Sequence, residues 1–289
     1  MRPDVPPSST AASRAPSVPP SLVARLRAAG CVFAEDEARL LTATARDRAE
    51  LDAMTERRTS GLPLEHVLGW AEFAGLRVAV DTGVFVPRRR TEFLVRCAVA
   101  LAPPPPAVPV VLDLCCGTGA VGAAVLDALG GRGELHAADL DPAAVRCARR
   151  NLAGLTGSGA GGAGGARRPA GSVHEGDLFD PLPGSLTGRV DLLAANVPYV
   201  PTGDLPLLPA EARDHEPRTA LDGGPDGLAL LRRVAAAARP WLAPHAVLLT
   251  ETTPHQAPAA VRLLTATGYA AHVATDEDLD ATVVTATPA

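Results

Sequence analysis

An α/β fold, a parallel sheet covered by helices on both faces, is predicted for the longer C-terminal part of this 289-residue chain, with a small helical module ahead of it. Three observations predict it. From about Val108 onward, apolar runs of strand length alternate with segments of helical periodicity. The runs are apolar nearly throughout, as strands buried on both faces are. Glycines cluster where the first run passes into the first helical segment, in DLCCGTGA (113–120).

Taken in order, residues 1–20 (MRPDVPPSSTAASRAPSVPP) hold almost no large apolar side chain, so a disordered tail is expected. Over 21–71 a small helical domain is predicted, because Leu22, Leu26, Ala38, Leu41 and Ala45 recur at spacings of three and four among charged residues. EFAGLRVAVDTGVFVP (72–87) alternates and carries Gly75, Asp81 and Gly83 as turn residues, which predicts a β-hairpin linker over 72–90. The remaining domain, 91–289, holds strands near 108–114, 133–139, 171–175, 189–195, 245–251, 269–275 and 281–287. Its helices are expected near 119–130, 142–153, 227–240 and 255–267. GSGAGGAGGARRPAG (157–171) is of low complexity and reads as a surface insertion without chemistry.

Composition narrows the chemistry. All 27 basic residues are Arg, there is no Lys or Ile, and the only asparagines are Asn151 and Asn196. A chain without Lys has no Walker A loop, no kinase lysine and no Schiff-base amine, which excludes those enzymes. A net charge of −5 favours no polyanionic partner, so no direct nucleic-acid binding is expected and Arg88 to Arg90 read as a solvated face. Five cysteines without CxxC spacing, and histidines without ligand spacing, suggest neither disulfides nor a metal site, and a reducing cytoplasm fits. The pattern of a signal peptide or membrane span is not found, so no membrane association is expected.

The first strand ends at Asp113 and turns through Gly117, Thr118 and Gly119 into a helix, an arrangement that lets a cofactor approach backbone N–H groups. The next strand ends at Asp139, where a carboxylate can accept both hydroxyls of a ribose. An adenosine-bearing cofactor follows, although Gly117, Gly119 and Gly122 also satisfy the dinucleotide pattern GxGxxG. The fourth strand ends in Asn196, Val197, Pro198 and Tyr199. An amide oxygen and a backbone carbonyl beside an aromatic wall suit a planar NH₂ group: they can hold its hydrogens and aim its lone pair at an electrophilic methyl. Asp141, just before Pro142, reads as a helix N-cap, and Cys115 with Cys116 as small apolar packing.

From about Pro63 to the C-terminus the chain resembles the HemK/PrmC family of S-adenosylmethionine-dependent protein-(glutamine-N5) methyltransferases. PLEHVLGWAEFAG (63–75) is similar to the family's linker, VFVPRRRTEFLV (84–95) to its PRPxTE segment and DLCCGTGA (113–120) to its glycine motif. AADLDP (137–142), EGDLF (175–179), NVPY (196–199), HEPRTALDGGPDGLALLRRV (215–234) and LLTET (248–252) resemble the motifs that follow, in the family's order. The resemblance implies a Rossmann-like seven-stranded methyltransferase domain with a reversed final hairpin, preceded by a helical substrate-recognition domain. It implies S-adenosylmethionine bound by Asp113, Gly117, Thr118, Gly119, Asp139, Leu140, Asp177, Leu178 and Asn196. The substrate amide would lie against Asn196, the Val197 carbonyl, Pro198 and Tyr199, with Arg88 and Glu92 in a loop over the pocket; the other reading of these two is a salt bridge that anchors the interdomain hinge. The implied partner is a protein, a release factor or ribosomal protein, and the chain is expected to act as a monomer.

Three departures stand out. Cys115 replaces the motif's first glycine, which requires that the position need no positive φ. Val197 replaces the first proline of NPPY, keeping the carbonyl but adding an N–H. The helical domain is shorter than the family's. Rival readings are an amino-methyltransferase acting on adenine N6 or another planar amine, an NAD-binding oxidoreductase, and a cofactor-binding protein without catalysis.

Overall fold

The computed structural model describes residues 18–155 and 171–289, and the chain divides after Leu68 into two compact units. Most of the tail expected over 1–20, and all of the insertion expected at 157–171 except Gly171, lie outside the described residues.

The first unit contains helices α1 (Pro20–Ala28), α2 (Ala34–Thr44), α3 (Arg48–Thr59) and α4 (Leu64–Leu68). Leu22, Leu26, Ala38, Leu41, Leu51, Met54 and Val67 form one buried cluster, so the three-and-four spacing closes on a shared core. α3 begins with a reciprocal cap: the Glu50 N–H donates to Asp47 Oδ1 at 2.8 Å, and the Arg46 N–H donates to Glu50 Oε2 at 2.6 Å. Arg58 donates to both oxygens of Glu37, at 2.6 and 3.0 Å, so these buried charges compensate one another.

The second unit opens with an antiparallel hairpin, β1 (Trp70–Phe73) and β2 (Leu76–Ala79). Its turn residues Ala74 and Gly75 have φ of +49° and +78°, the conformation that matches the twist of paired strands. Asp81 and Gly83 belong to a separate turn, closed by the Val84 N–H donating to the Asp81 carbonyl at 3.1 Å. α5 (Glu92–Ala100) follows, a helix the sequence pattern does not predict; Leu94, Val95 and Ala98 bury its inner face.

The remaining elements alternate: β3 (Val110–Leu114), α6 (Ala120–Ala128), β4 (Glu134–Asp139), α7 (Pro142–Leu155), β5 (Ser172–Glu175), β6 (Val190–Ala195), the short α8 (Ala210–His215), α9 (Ala229–Ala238), β7 (Leu242–Thr252), α10 (Ala257–Ala266), β8 (Tyr269–Asp276) and β9 (Ala281–Pro288). Seven strands pair in the order β5-β4-β3-β6-β7-β9-β8. β3 to β7 run parallel, and β9 runs antiparallel to both β7 and β8. This is the Rossmann-like seven-stranded arrangement with a reversed final hairpin. Within β3, Val110, Leu112 and Leu114 join one buried cluster and Val111 the other, so both faces of the sheet are covered. The chain proceeds from β3 toward β5 on one side and from β6 toward β8 on the other. The crevice at this reversal lies over the carboxyl ends of β3 and β6, where α/β sheets bind ligands.

Candidate active site

A cavity of about 1060 Å³ occupies that crevice, lined by the residues that end β3, β4, β6 and β7 and by two loops, 85–91 and 208–224. At the end of β3, Asp113 is 1% exposed. Its Oδ2 accepts from the Gly122 N–H at 2.9 Å, while Oδ1 has no partner. Burial pushes its pKa up to about 7 against the lowering effect of that bond. A Cβ on Gly122 would stand 2.8 Å from Leu135 Cδ1, so this glycine serves close packing of helix on strand.

The following turn has φ of +53° at Cys115, +54° at Gly117 and +74° at Gly119. Cys115 thus has a positive φ, so the condition set for a residue other than glycine at this position is not met. A side chain there is strained by about 1–2 kcal/mol, and hydrogen bonds on either side hold it: the Cys116 N–H donates to the Ala138 carbonyl at 3.1 Å and the Gly119 N–H to the Cys116 carbonyl at 2.7 Å. Nothing lies within 4 Å of where a Gly117 Cβ would stand, so the loop faces open space. Thr118 lines the cavity beside it.

Asp139 ends β4 and is tied to this loop. The Gly117 N–H donates to its Oδ2 at 2.8 Å and the Asp141 N–H to its Oδ1 at 2.9 Å. Burial raises its pKa against these bonds. Each oxygen keeps a lone pair that could accept a ribose hydroxyl. Asp141 takes the cap position, its Oδ1 accepting from the Ala143 N–H at 2.8 Å. Leu140, 60% exposed, also lines the cavity, as do Asp177 and Leu178. Asp177 Oδ2 accepts from Arg233 at 2.7 Å, and Leu178 has φ of +48°.

Asn196, Val197, Pro198 and Tyr199 form the opposite wall. Asn196 Oδ1 is buried and has no donor. The Tyr199 hydroxyl donates to Glu251 Oε1 at 2.8 Å, and the Arg90 Nε–H donates to the same oxygen at 3.0 Å. Burial and the neighbouring Glu251 carboxylate raise the Tyr199 pKa, so the hydroxyl stays protonated. Gln256 Nε2 donates to the Tyr199 carbonyl at 2.8 Å. The LDGG stretch runs alongside, with the Val200 N–H donating to the Leu221 carbonyl at 3.1 Å and the Gly223 N–H to the Val200 carbonyl at 2.8 Å. A Cβ on Gly223 would stand 2.7 Å from Tyr199 Cα, and one on Gly227 would stand 2.3 Å from the Tyr199 carbonyl oxygen. The long sequence match over 215–234 thus braces the turn at 196–199.

Arg88 lines the cavity and donates to both oxygens of Glu216, at 2.6 Å each. Glu92 lies elsewhere: it is not among the lining residues, and its Oε1 accepts from the Ala74 N–H at 3.1 Å, holding the hairpin turn. Arg88 and Arg90 both turn to carboxylates, with their side chains 31% and 48% exposed. Sequence reasoning missed Glu251, Glu216, Arg90 and Arg233. Glu251 had a signal, an acid at the carboxyl end of the apolar strand LLTET. The partners of the others come from more than 50 residues away and left none.

The donor set fits the adenosine cofactor. The cavity offers an open approach to the Gly117 backbone, the Asp139 carboxylate, and an unpartnered oxygen on Asp113. Among the described residues, no group of three or more His, Cys, Asp or Glu side chains could hold a metal ion, and no helix is long and apolar enough to cross a membrane.

Residues 76–163 match the methyltransferase small domain family. A release factor glutamine methyltransferase of Geobacter sulfurreducens is 36% identical over 216 residues, 75% of this chain and 69% of the relative. One of Mycolicibacterium smegmatis is 39% identical over 194 residues, 67% of this chain and 63% of the relative. A 4-amino-L-phenylalanine/4-methylamino-L-phenylalanine methyltransferase of Streptomyces pristinaespiralis is 36% identical over 75% of this chain and 70% of its own length. The chain spans about two thirds of the length of these relatives. With this similarity, and with the family's motifs gathered around one cavity at the sheet's reversal point, the chain belongs to the HemK/PrmC family of S-adenosylmethionine-dependent protein-(glutamine-N5) methyltransferases.

Proposed function

We propose that this enzyme transfers a methyl group to the side-chain amide nitrogen of a glutamine in a peptide chain release factor. The observation that carries the reading is Asn196 Oδ1, a buried acceptor without a donor in the wall of the cavity. A primary amide brings that donor. S-adenosylmethionine supplies, when bound, an electrophilic methyl group on a sulfonium. Asn196 Oδ1 and the Val197 carbonyl accept the two amide hydrogens, draw the nitrogen lone pair out of conjugation and direct it. Positioning of this kind contributes about 7–11 kcal/mol to lowering a barrier. Tyr199, held by Glu251 and Gln256, presents its ring to the amide, and Pro198 stiffens the turn between them.

On the cofactor side, Asp139 would hold the ribose, Gly117, Thr118 and Gly119 the methionine portion, and Leu140, Asp177 and Leu178 the adenine. Asp113 would offer its unpartnered oxygen to the cofactor. Arg88, fixed by Glu216, borders the substrate. We also propose that the protein acts in the cytoplasm as a monomer and recognises its protein substrate through the helical domain, without direct contact to nucleic acid. The Streptomyces pristinaespiralis relative supports a second reading, methylation of a planar amine on a small molecule, because an arylamine also offers two hydrogens to Asn196.

Mass spectrometry of release factors and ribosomal proteins from cells with and without the gene tests the proposal. A methyl on a release-factor glutamine that disappears with the gene is expected, and one that persists overturns it.

A further inference from the structure

Charge is distributed unevenly between the two ends of the cavity. At the glycine loop, Asp113 and Asp139 bond to backbone N–H groups, and among the described residues neither is paired with an Arg or His. At the acceptor end, Glu216 is paired with the lining residue Arg88, and Glu251, whose side chain is 3% exposed, with Arg90. The acceptor end is thus suited to a neutral group.

Glu251 has one further property. Its Oε1 accepts from both Tyr199 and Arg90, while Oε2 is buried with no donor at all. Asn196 Oδ1 and Glu251 Oε2, like Thr91 Oγ1 and Asp113 Oδ1, are unpartnered atoms on residues lining the same cavity, and the hydrogens of the reacting amide account for Asn196 Oδ1 but not for Glu251 Oε2. An acceptor left in this state is costly unless a ligand completes it.

We infer that Glu251 Oε2 accepts a second, neutral donor of the substrate, the main-chain N–H of the glutamine, and that Arg90 makes this subsite select a peptide N–H over an ammonium. An ammonium placed there would share one carboxylate with the Arg90 guanidinium and leave a net positive charge beside the buried Glu251 side chain. A peptide N–H brings no charge and completes the acceptor. The enzyme accordingly takes glutamine within a chain and discriminates against the free amino acid and against small amines that carry an α-ammonium. This rests on the glutamine reading above.

The test is methylation of a release factor in competition with two small molecules that differ in one group: glutamine N-methylamide with its α-amine acetylated, and the same compound with the amine free. The acetylated compound is expected to inhibit at a concentration at least tenfold lower. Glu251→Gln replaces one oxygen by an NH₂ donor with little change of shape. It should raise KM for the release factor at least tenfold, with a smaller fall in kcat, and abolish the preference between the competitors. Arg90→Gln should narrow that preference at least threefold. A merely structural role for Glu251 would lower kcat and leave both KM and the preference in place. Equal inhibition by the two compounds, inhibition by neither, or an unchanged KM in Glu251→Gln overturns the inference while glutamine methylation stands. Absence of release-factor methylation by the unmodified enzyme is a different result and overturns the glutamine reading itself.

Discussion

Asn151, in α7, and Asn196, at the end of β6, are the only asparagines in the chain, and the regions around them differ in how fully their polar groups are met. Asn151 Oδ1 accepts from the Ala79 N–H at 2.8 Å, and its Nδ2 donates to the carbonyls of Ala79 and Thr118, at 2.9 Å each. It joins the hairpin, the glycine loop and α7, and none of these bonds awaits a ligand. Asn196 has the opposite state, its Oδ1 buried and unmet. The same rare residue type thus serves once as a structural joint and once as an acceptor held ready. Scarcity in the composition marks both, and only the count of satisfied atoms separates them.

Breaking the two asparagines in turn should give opposite results. Asn196→Ala is expected to lose about 10²-fold or more in turnover, the scale of removing a partner that acts in the transition state. Its melting temperature should hardly move, because no bond within the fold is lost; undiminished methylation would remove Asn196 from the mechanism. Asn151→Ala should do the reverse. It deletes three hydrogen bonds at about 1 kcal/mol each, so thermal denaturation should show a drop of about 2–4 °C for each kcal/mol lost. An unchanged melting temperature would show that the joint is not needed.

Asp113 combines both states in one carboxyl, and its pH response sharpens the contrast. With a folded pKa of about 7 it keeps its proton between about pH 4 and 7, a range in which the unfolded chain has released it. The folded state binds more protons there, so Asp113 makes stability fall as pH rises through that window. Asp113→Asn removes the titration, and its stability profile should be flatter than the parent's between those limits. Parallel profiles would exclude a raised pKa at this site. The smallest effect is expected at Cys115. Cys115→Gly relieves the strain of φ +53° but gives the unfolded chain more freedom, for a net gain below about 1 kcal/mol. Chemical denaturation measures it, and a loss of stability would mean that the thiol's packing outweighs the strain.

How much of this was legible in advance depended on the range of the interactions. All seven strands of the large sheet and its four long flanking helices were readable from periodicity, since each is set by residues within a few positions of one another. α5 escaped because its apolar spacing spans little more than two turns before the prolines at 103–106 interrupt it. Asn196 and Tyr199 were readable because a strand end, a proline and an aromatic stand together. Glu92 was misplaced for a related reason: a carboxylate near a loop motif looks the same in sequence whether it faces a cavity or ties down a turn.

The sequence by itself determined the fold class, the absence of amine chemistry in a chain without Lys, and the strand-end turn at 196–199, because local pattern and residue type suffice for each. Only the tertiary structure decided which carboxylate meets which guanidinium. Arg88 with Glu216 and Arg90 with Glu251 lie 128 and 161 residues apart, and no local spacing encodes such a pair. It decided as well that Cys115 sits in a left-handed conformation, because that φ is imposed by hydrogen bonds from the neighbouring strand and loop rather than by the residue itself. And it decided which buried oxygens remain without a donor, since satisfaction is a property of the assembled surroundings and not of any residue alone.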